Sequence, residues 1–341
     1  MTDFRRPFGF EDALRPPVDV RRARLTPATL RGGRGSSTEV RSQLARVVRR
    51  APEVMVKVTG RTGDGGHLLR HLDYISRNGK LPLEGPDGER LDGRAEVRAL
   101  VEDWIAELAL EPGRRKDSAM SLSVVLSMPK GVEAYRVQDA ARAFASHTFG
   151  DRHPYVFALH DEGAHPHVHL SIRMLGDDGS RLNPRKADLQ AWREAFAKEL
   201  RARAVEAEAT PRRARGVVRK AERTPIRKMR ERFMERRGPL PESLQKALRS
   251  GLEGGGRTDW LRPIENRQRD IRRAYVAESL RLARSSLEDD RMLGRALEAF
   301  VRSMPLPETR AQDIERRIGG RREAILETGR QVTDGERPRH R

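Results

Sequence analysis

An α+β fold is predicted for residues 54–210: a mostly antiparallel sheet with packed helices, followed by a helical, basic C-terminal region. Three observations predict it. Two runs, Ser121–Met128 and His167–Met174, alternate apolar and polar side chains with the period of a half-buried strand. Around them lie runs whose apolar residues recur at helical spacing. Breaks centred on Gly and Pro separate the two kinds of run at short intervals.

Residues 1–50 are rich in Arg, Pro and Gly, with Arg31–Ser37 the clearest flexible piece, and read as a basic arm. Val54–Thr59 is a β-prone run ended by Gly60. His67–Arg77 carries Leu68, Leu69, Leu72 and Ile75 at helical spacing and stops at Asn78-Gly79. Arg94–Leu110 repeats the pattern with Val97, Leu100, Val101, Trp104, Ile105 and Leu108, and Pro112-Gly113 ends it. After the first alternating strand, Pro129-Lys130-Gly131 forms a turn and Val132–Phe149 a helix. Tyr155–His160 and His167–Met174 make an antiparallel hairpin, Asp177-Asp178-Gly179 a turn, and Lys186 to about Glu208 a helix. Beyond Thr210 come the basic run Arg212–Lys220, further charged helices, a Gly254–Gly256 linker and a disordered tail from Arg330.

Hydrophobic residues are 36% of the 341 and charged residues 35%, so a packed core is expected for part of the chain only. The formal net charge of +19 calls for a polyanionic partner, nucleic acid or an acidic membrane surface. No apolar stretch is long enough to span a bilayer, and Met1–Pro7 lacks the apolar core of a signal peptide. There is no cysteine, which excludes disulfides, thiolate metal sites and cysteine nucleophiles. A cytoplasmic protein fits these features, and any metal must be held by His, Asp or Glu.

The strand His167–Met174 carries the strongest candidate chemistry. Val168, Leu170, Ile172 and Met174 take the core face, so His167 and His169 share the other. Two imidazoles about 7 Å apart along the strand can grip one divalent ion. Alone, this pair suits the wet face of a strand better than a metal site. His160, across the loop Asp161–Pro166, is a candidate third ligand, with His165 in that loop as the competitor. Three histidines leave coordination positions open for a phosphate oxygen.

Of the four tyrosines, Tyr155 lies in an apolar run, Tyr135 on an early helix turn and Tyr275 in the charged C-terminal region. Tyr74 stands in His71–Lys80, near Arg77 and Lys80, which suit phosphate contact. On composition alone, a packed helical tyrosine is the better reading.

Taken in order, six segments resemble the conjugative relaxase, or plasmid mobilisation nuclease, family of the HUH (His-hydrophobic-His) endonucleases. They are Leu72–Gly79 (LDYISRNG), Leu126–Gly131 (LSMPKG), Ala158–Asp161 (ALHD), His165–Leu170 (HPHVHL), Arg181–Lys186 (RLNPRK) and Glu206–Thr210 (EAEAT). The resemblance covers roughly residues 54–225 and implies a nuclease domain at 51–225, leaving 226–341 as the basic helical region. It implies cleavage of single-stranded DNA at a plasmid transfer origin through a 5′-phosphotyrosine link, with Tyr74 as nucleophile. It implies His160, His167 and His169 as ligands of Mg, Mn or Zn, and Asp161 or Glu162 as the assisting carboxylate. The family often places Asp two residues after the first histidine; Glu162 stands there and Asp161 precedes it. Arg77, Lys80, Lys130, Arg185 and Lys186 are the expected DNA contacts. Relaxosome accessory proteins and a type IV secretion coupling protein are the implied partners, in a bacterial cytoplasm. The alternatives are an HUH replication initiator or transposase, or a basic nucleic-acid-binding protein without activity.

Overall fold

The computed structural model describes residue 14 and residues 37–111, 118–163, 165–217, 222–253, 261–305 and 307–319. They fall into two compact units, Leu14–Thr210 and the chain from Pro211 on. The predicted α+β fold is present in the first. Its elements are α1 (Ser37–Val48), β1 (Met55–Thr62), α2 (Gly65–Ile75), β2 (Leu83–Glu84), β3 (Arg90–Leu91), α3 (Gly93–Ala109), β4 (Ser121–Ser127), α4 (Ala134–Phe149), β5 (Tyr155–His160), β6 (His167–Arg173) and α5 (Lys186–Ala202). The six strands form one sheet in the order β1-β4-β6-β5-β2-β3, and every neighbouring pair is antiparallel.

Alternation sorts the side chains onto two faces. One face carries Val56, Leu122, Val124, Leu126, Phe157, Val168, Leu170 and Ile172, buried against Val137, Phe144 and Phe149 of α4 and Trp192, Phe196 and Leu200 of α5. The other carries Val156 and Ala158 beneath α2 and α3, which contribute Leu68, Leu72, Ile75, Val97, Val101 and Trp104. This second core covers the β5 end of its face. On β1 of the same face, Met55, Lys57 and Thr59 are exposed.

Residues 37–48, read from sequence as part of a basic arm, are helix α1. Leu44 and Val47 are buried, and Arg46 donates from Nε to the buried Glu208 carboxylate at 2.6 Å. Glu208 also ties its backbone to Pro52 and Val54. The Glu206–Thr210 segment therefore closes the first unit. Apart from Leu14, the rest of the expected arm lies outside the described residues, as do the Gly254–Gly256 linker and the tail from Arg330.

The second unit holds a 3₁₀ turn at Arg212–Arg215 and helices α6 (Thr224–Met234), α7 (Glu242–Leu252), α8 (Arg262–Ala283) and α9 (Glu288–Arg302). Tyr275 of α8 is fully buried, and its hydroxyl donates to the Ala214 carbonyl at 2.9 Å. The second unit thus begins at Pro211, before the boundary at 225 read from sequence. Among the described residues, no helix is long and apolar enough to cross a membrane.

Candidate active site

The end of the β5–β6 hairpin builds the site. His160 closes β5 and pairs in register with His167, the first residue of β6; His169 follows on the same face, opposite Ala158. The three rings converge, with centroids 4.5 Å apart for His160–His169, 5.1 Å for His167–His169 and 5.3 Å for His160–His167. One nitrogen from each ring lies within 4.8 Å of the others. His165 is not part of this cluster; its carbonyl accepts a hydrogen bond from His167 Nδ1 at 3.0 Å.

The hydrogen bonds settle the tautomers of two rings. A carbonyl can only accept, so the ring nitrogen facing it must carry the proton. His160 donates from Nε2 to the Ile75 carbonyl at 2.8 Å, and its buried Nδ1 has no partner. His167 donates from Nδ1, which frees Nε2. His169 Nε2 is buried without a partner as well. Orphaned buried nitrogens are rare, because each forfeits hydration. Here they converge on one point, with backbone carbonyls fixing the rings from behind. That is the arrangement of imidazole ligands held by outer hydrogen bonds.

Electrostatics agree. Burial, followed by the neighbouring His160 and His167, pushes His169 down to about 3. Burial also holds His160 below the usual histidine range. Both rings are therefore neutral near pH 7, with the lone pairs a cation requires. The residues present fit a divalent ion bound by three imidazoles.

Tyr74 sits at the mouth of this cluster. It lies in the last turn of α2, 55% exposed, its ring edge-on to His169 at 5.5 Å and to His160 at 6.1 Å. Three consecutive residues after α2 adopt left-handed backbone: Arg77 (φ 53°), Asn78 (φ 58°) and Gly79 (φ 79°). The turn is held by bonds from Asn78 N to Asp73 O, from Leu81 N to Ser76 O, and from Gly79 N to the buried Ser76 hydroxyl. Strain of this kind persists only where surrounding structure enforces it. The enforced turn presents the Ile75 carbonyl to His160 and brings the Arg77 guanidinium within 5.9 Å of the Tyr74 ring.

Arg77 also pairs with Glu162 at 3.2 Å, so Glu162 faces the tyrosine side of the site. Among the described residues, Asp161 is exposed and forms no salt bridge. Lys80 lies in the same turn as Arg77. Lys130 follows β4 just beyond Met128, whose amide donates to the Pro166 carbonyl, at the histidine end of the sheet. Arg185 and Lys186 are not brought to this end. Trp192 meets Phe149, at the C-terminus of α4, while Arg136 near its N-terminus reaches the Arg203 carbonyl. Helix α5 therefore starts at the opposite end of the sheet, on the opposite face. The sequence reading did not single out His71. One turn before Tyr74, its Nε2 is 2.9 Å from the Ser123 hydroxyl on β4. The i, i+3 spacing on one helix face was its only signal.

Comparison with known proteins fits this site. Residues 87–203 match the family described as Relaxase: MobA/VirD2-like, nuclease domain. Residues 87–203 are thus similar to a relaxase nuclease domain. The matched residues lie within the first unit and include all three clustered histidines; Tyr74 and α2 precede them. The T-DNA border endonuclease VirD2 of Rhizobium radiobacter is 26% identical over 203 residues, covering 54% of this chain and 47% of its own length. VirD2 of Agrobacterium fabrum is 24% identical over 154 residues, covering 40% and 34%. The 43 kDa relaxation protein of Salmonella typhimurium is 25% identical over 132 residues, covering 36% of each. The chain thus spans less than half the length of these relatives.

Proposed function

We propose that this chain is a relaxase that nicks and rejoins one strand of DNA at a plasmid transfer origin, using Tyr74 as nucleophile and His160, His167 and His169 as metal ligands. The observation that carries the reading is the convergence of unpartnered imidazole nitrogens beside an exposed tyrosine. A divalent ion held there, Mg, Mn or Zn, supplies polarisation of a phosphoryl oxygen. The Tyr74 phenolate oxygen attacks phosphorus, a bond forms to it, and the bond from phosphorus to the 3′-oxygen breaks. The phenol proton passes to the Asp161–Glu162 carboxylates or to water, and the departing 3′-oxygen takes up a proton. Arg77, with Lys80 and Lys130 at the same end of the sheet, holds flanking phosphates. The phosphotyrosine keeps the bond energy of the cut strand, so the step reverses.

The nuclease function belongs to the first unit in this reading, and the basic helices beyond it serve DNA or partner contacts. The bacterial relatives support a cytoplasmic setting, where accessory relaxosome proteins and a secretion coupling protein would meet the covalent product.

Covalent capture tests the proposal. The full chain is incubated with Mg or Mn and single-stranded oligonucleotides bearing candidate origin sequences, then run on a denaturing gel. A DNA-linked band is expected, absent after chelation and absent in Tyr74→Phe. His167→Ala and His169→Ala lose the band while keeping most of the DNA affinity. A band that survives in Tyr74→Phe overturns the nucleophile assignment. Equal loss of binding and cleavage in the histidine variants overturns the ligand assignment.

A further inference from the structure

The sheet register aligns two rows of side chains on the histidine face. One row runs Met55, Ser127, His167, His160, and the other Lys57, Val125, His169, Ala158. Directly paired residues of antiparallel strands point to the same side. Lys57 therefore projects from the face that carries His169, two strands away, which is about 10 Å at strand spacing. Val125, buried on β4, stands between them in this row, and His71 of α2 bonds Ser123 further along the same strand. Helices α2 and α3 cover the β5 end of this face, whereas Met55, Lys57 and Thr59 stay exposed at the β1 end. A bulge at Thr59, two residues after Lys57, interrupts β1, and the Thr59 hydroxyl donates to the Ser123 carbonyl there. Bulges of this kind re-aim side chains beside active sites.

Among the described residues, Lys57 forms no ion pair. Arg77, across the site, is already held by Glu162 and lies against Tyr74. The two cations thus flank the histidine cluster from opposite sides, one engaged and one open. We infer that Lys57 is a positioning residue that contacts a backbone phosphate next to the one attacked, fixing the DNA strand at the exposed edge strand β1. This rests on the proposed nicking reaction and goes beyond the residues assigned to it. A lysine on an exposed edge strand can instead serve only to block strand pairing, and the experiment separates the two roles.

Binding of a short single-stranded origin oligonucleotide is measured against salt with the full chain in a Tyr74→Phe background, so that no cleavage intervenes. Lys57→Met is expected to weaken binding several-fold and to lower the slope of log affinity against log salt by about 0.7, the value for one single-strand phosphate contact. Lys57→Arg keeps the slope. Replacing the phosphate on one side of the scissile position with a neutral methylphosphonate reproduces the loss, and Lys57→Met then adds nothing further. In the cleaving protein, Lys57→Met raises KM far more than it lowers kcat. An unchanged salt slope in Lys57→Met, or additive losses with the methylphosphonate at either neighbouring position, overturns the inference. If the native chain forms the Tyr74-linked adduct while the Lys57 slope is unchanged, only this inference fails. Absence of the adduct in the native chain overturns the nicking reaction itself.

Discussion

His169 shows how a single side chain joins folding to chemistry. Its ring is held neutral by burial first and by neighbouring His160 and His167 second, down to about 3 against an ordinary value near 6.5. Between those two pH values the unfolded chain binds a proton that the folded chain refuses. Stability contributed at this position is therefore complete above about pH 6.5 and is lost progressively as pH falls toward 3. With metal chelated, the native protein should lose more stability between pH 7.5 and 5 than His169→Asn does. Urea unfolding midpoints of the two proteins at both pH values check this, and equal losses would show that the ring is not held neutral. Metal bound to the same nitrogens opposes the acid loss, because it requires the neutral form.

The turn after α2 is the element on which the site depends. Gly79 has φ +79°, and a Cβ there would lie 2.6 Å from the Arg94 amide nitrogen and 2.8 Å from the Gly93 carbonyl carbon. Neither is a flexible side-chain end, so the backbone itself must move. Gly79→Ala should cost at least about 1–2 kcal/mol from left-handed strain alone, with the clash added. It should also reduce adduct formation, since the displaced turn carries the Ile75 carbonyl that orients His160. Urea denaturation with adduct yield reads both effects; loss of stability without loss of adduct would uncouple the turn from the ligand. This element also marks how far sequence reasoning reached. Alternation predicted β4 and β6 almost to the residue and put His167 and His169 on one side, because a two-residue period has no second solution once one face is apolar. Loop length made His160 a plausible partner, with His165, beside Pro166, the less constrained competitor; the fold brings His160 into register with His167 and leaves His165 outside the cluster. Helix α1 escaped notice because Arg, Gly and Ser dominate its surroundings, and its anchor, Glu208, lies more than 150 residues away. The two-residue strands β2 and β3 carry no periodicity to detect. Lys57 became visible only through cross-strand register, which no local pattern encodes.

Across the whole molecule, charge and chemistry are divided. From Pro211 on, the sequence has 34 Lys and Arg against 20 Asp and Glu, a net +14 of the total +19. The histidine cluster, Tyr74 and the family match all lie before that point. The first unit has its own two cores and closes through Glu208 and Thr210 onto residues 52–54. A chain ending at Thr210 should therefore fold and still form the tyrosine adduct at low salt. It should lose affinity much faster than the full chain as salt rises toward physiological strength only if its own contacts were the more electrostatic. The charge division predicts the reverse: the full chain has the steeper slope and the higher affinity at every salt concentration, with the advantage narrowing as salt rises. Salt titrations of both chains on one origin oligonucleotide decide this. Parallel slopes would mean that the C-terminal arginines do not touch DNA and face another partner. A truncated chain that folds but forms no adduct at low salt would move part of the active site beyond Thr210.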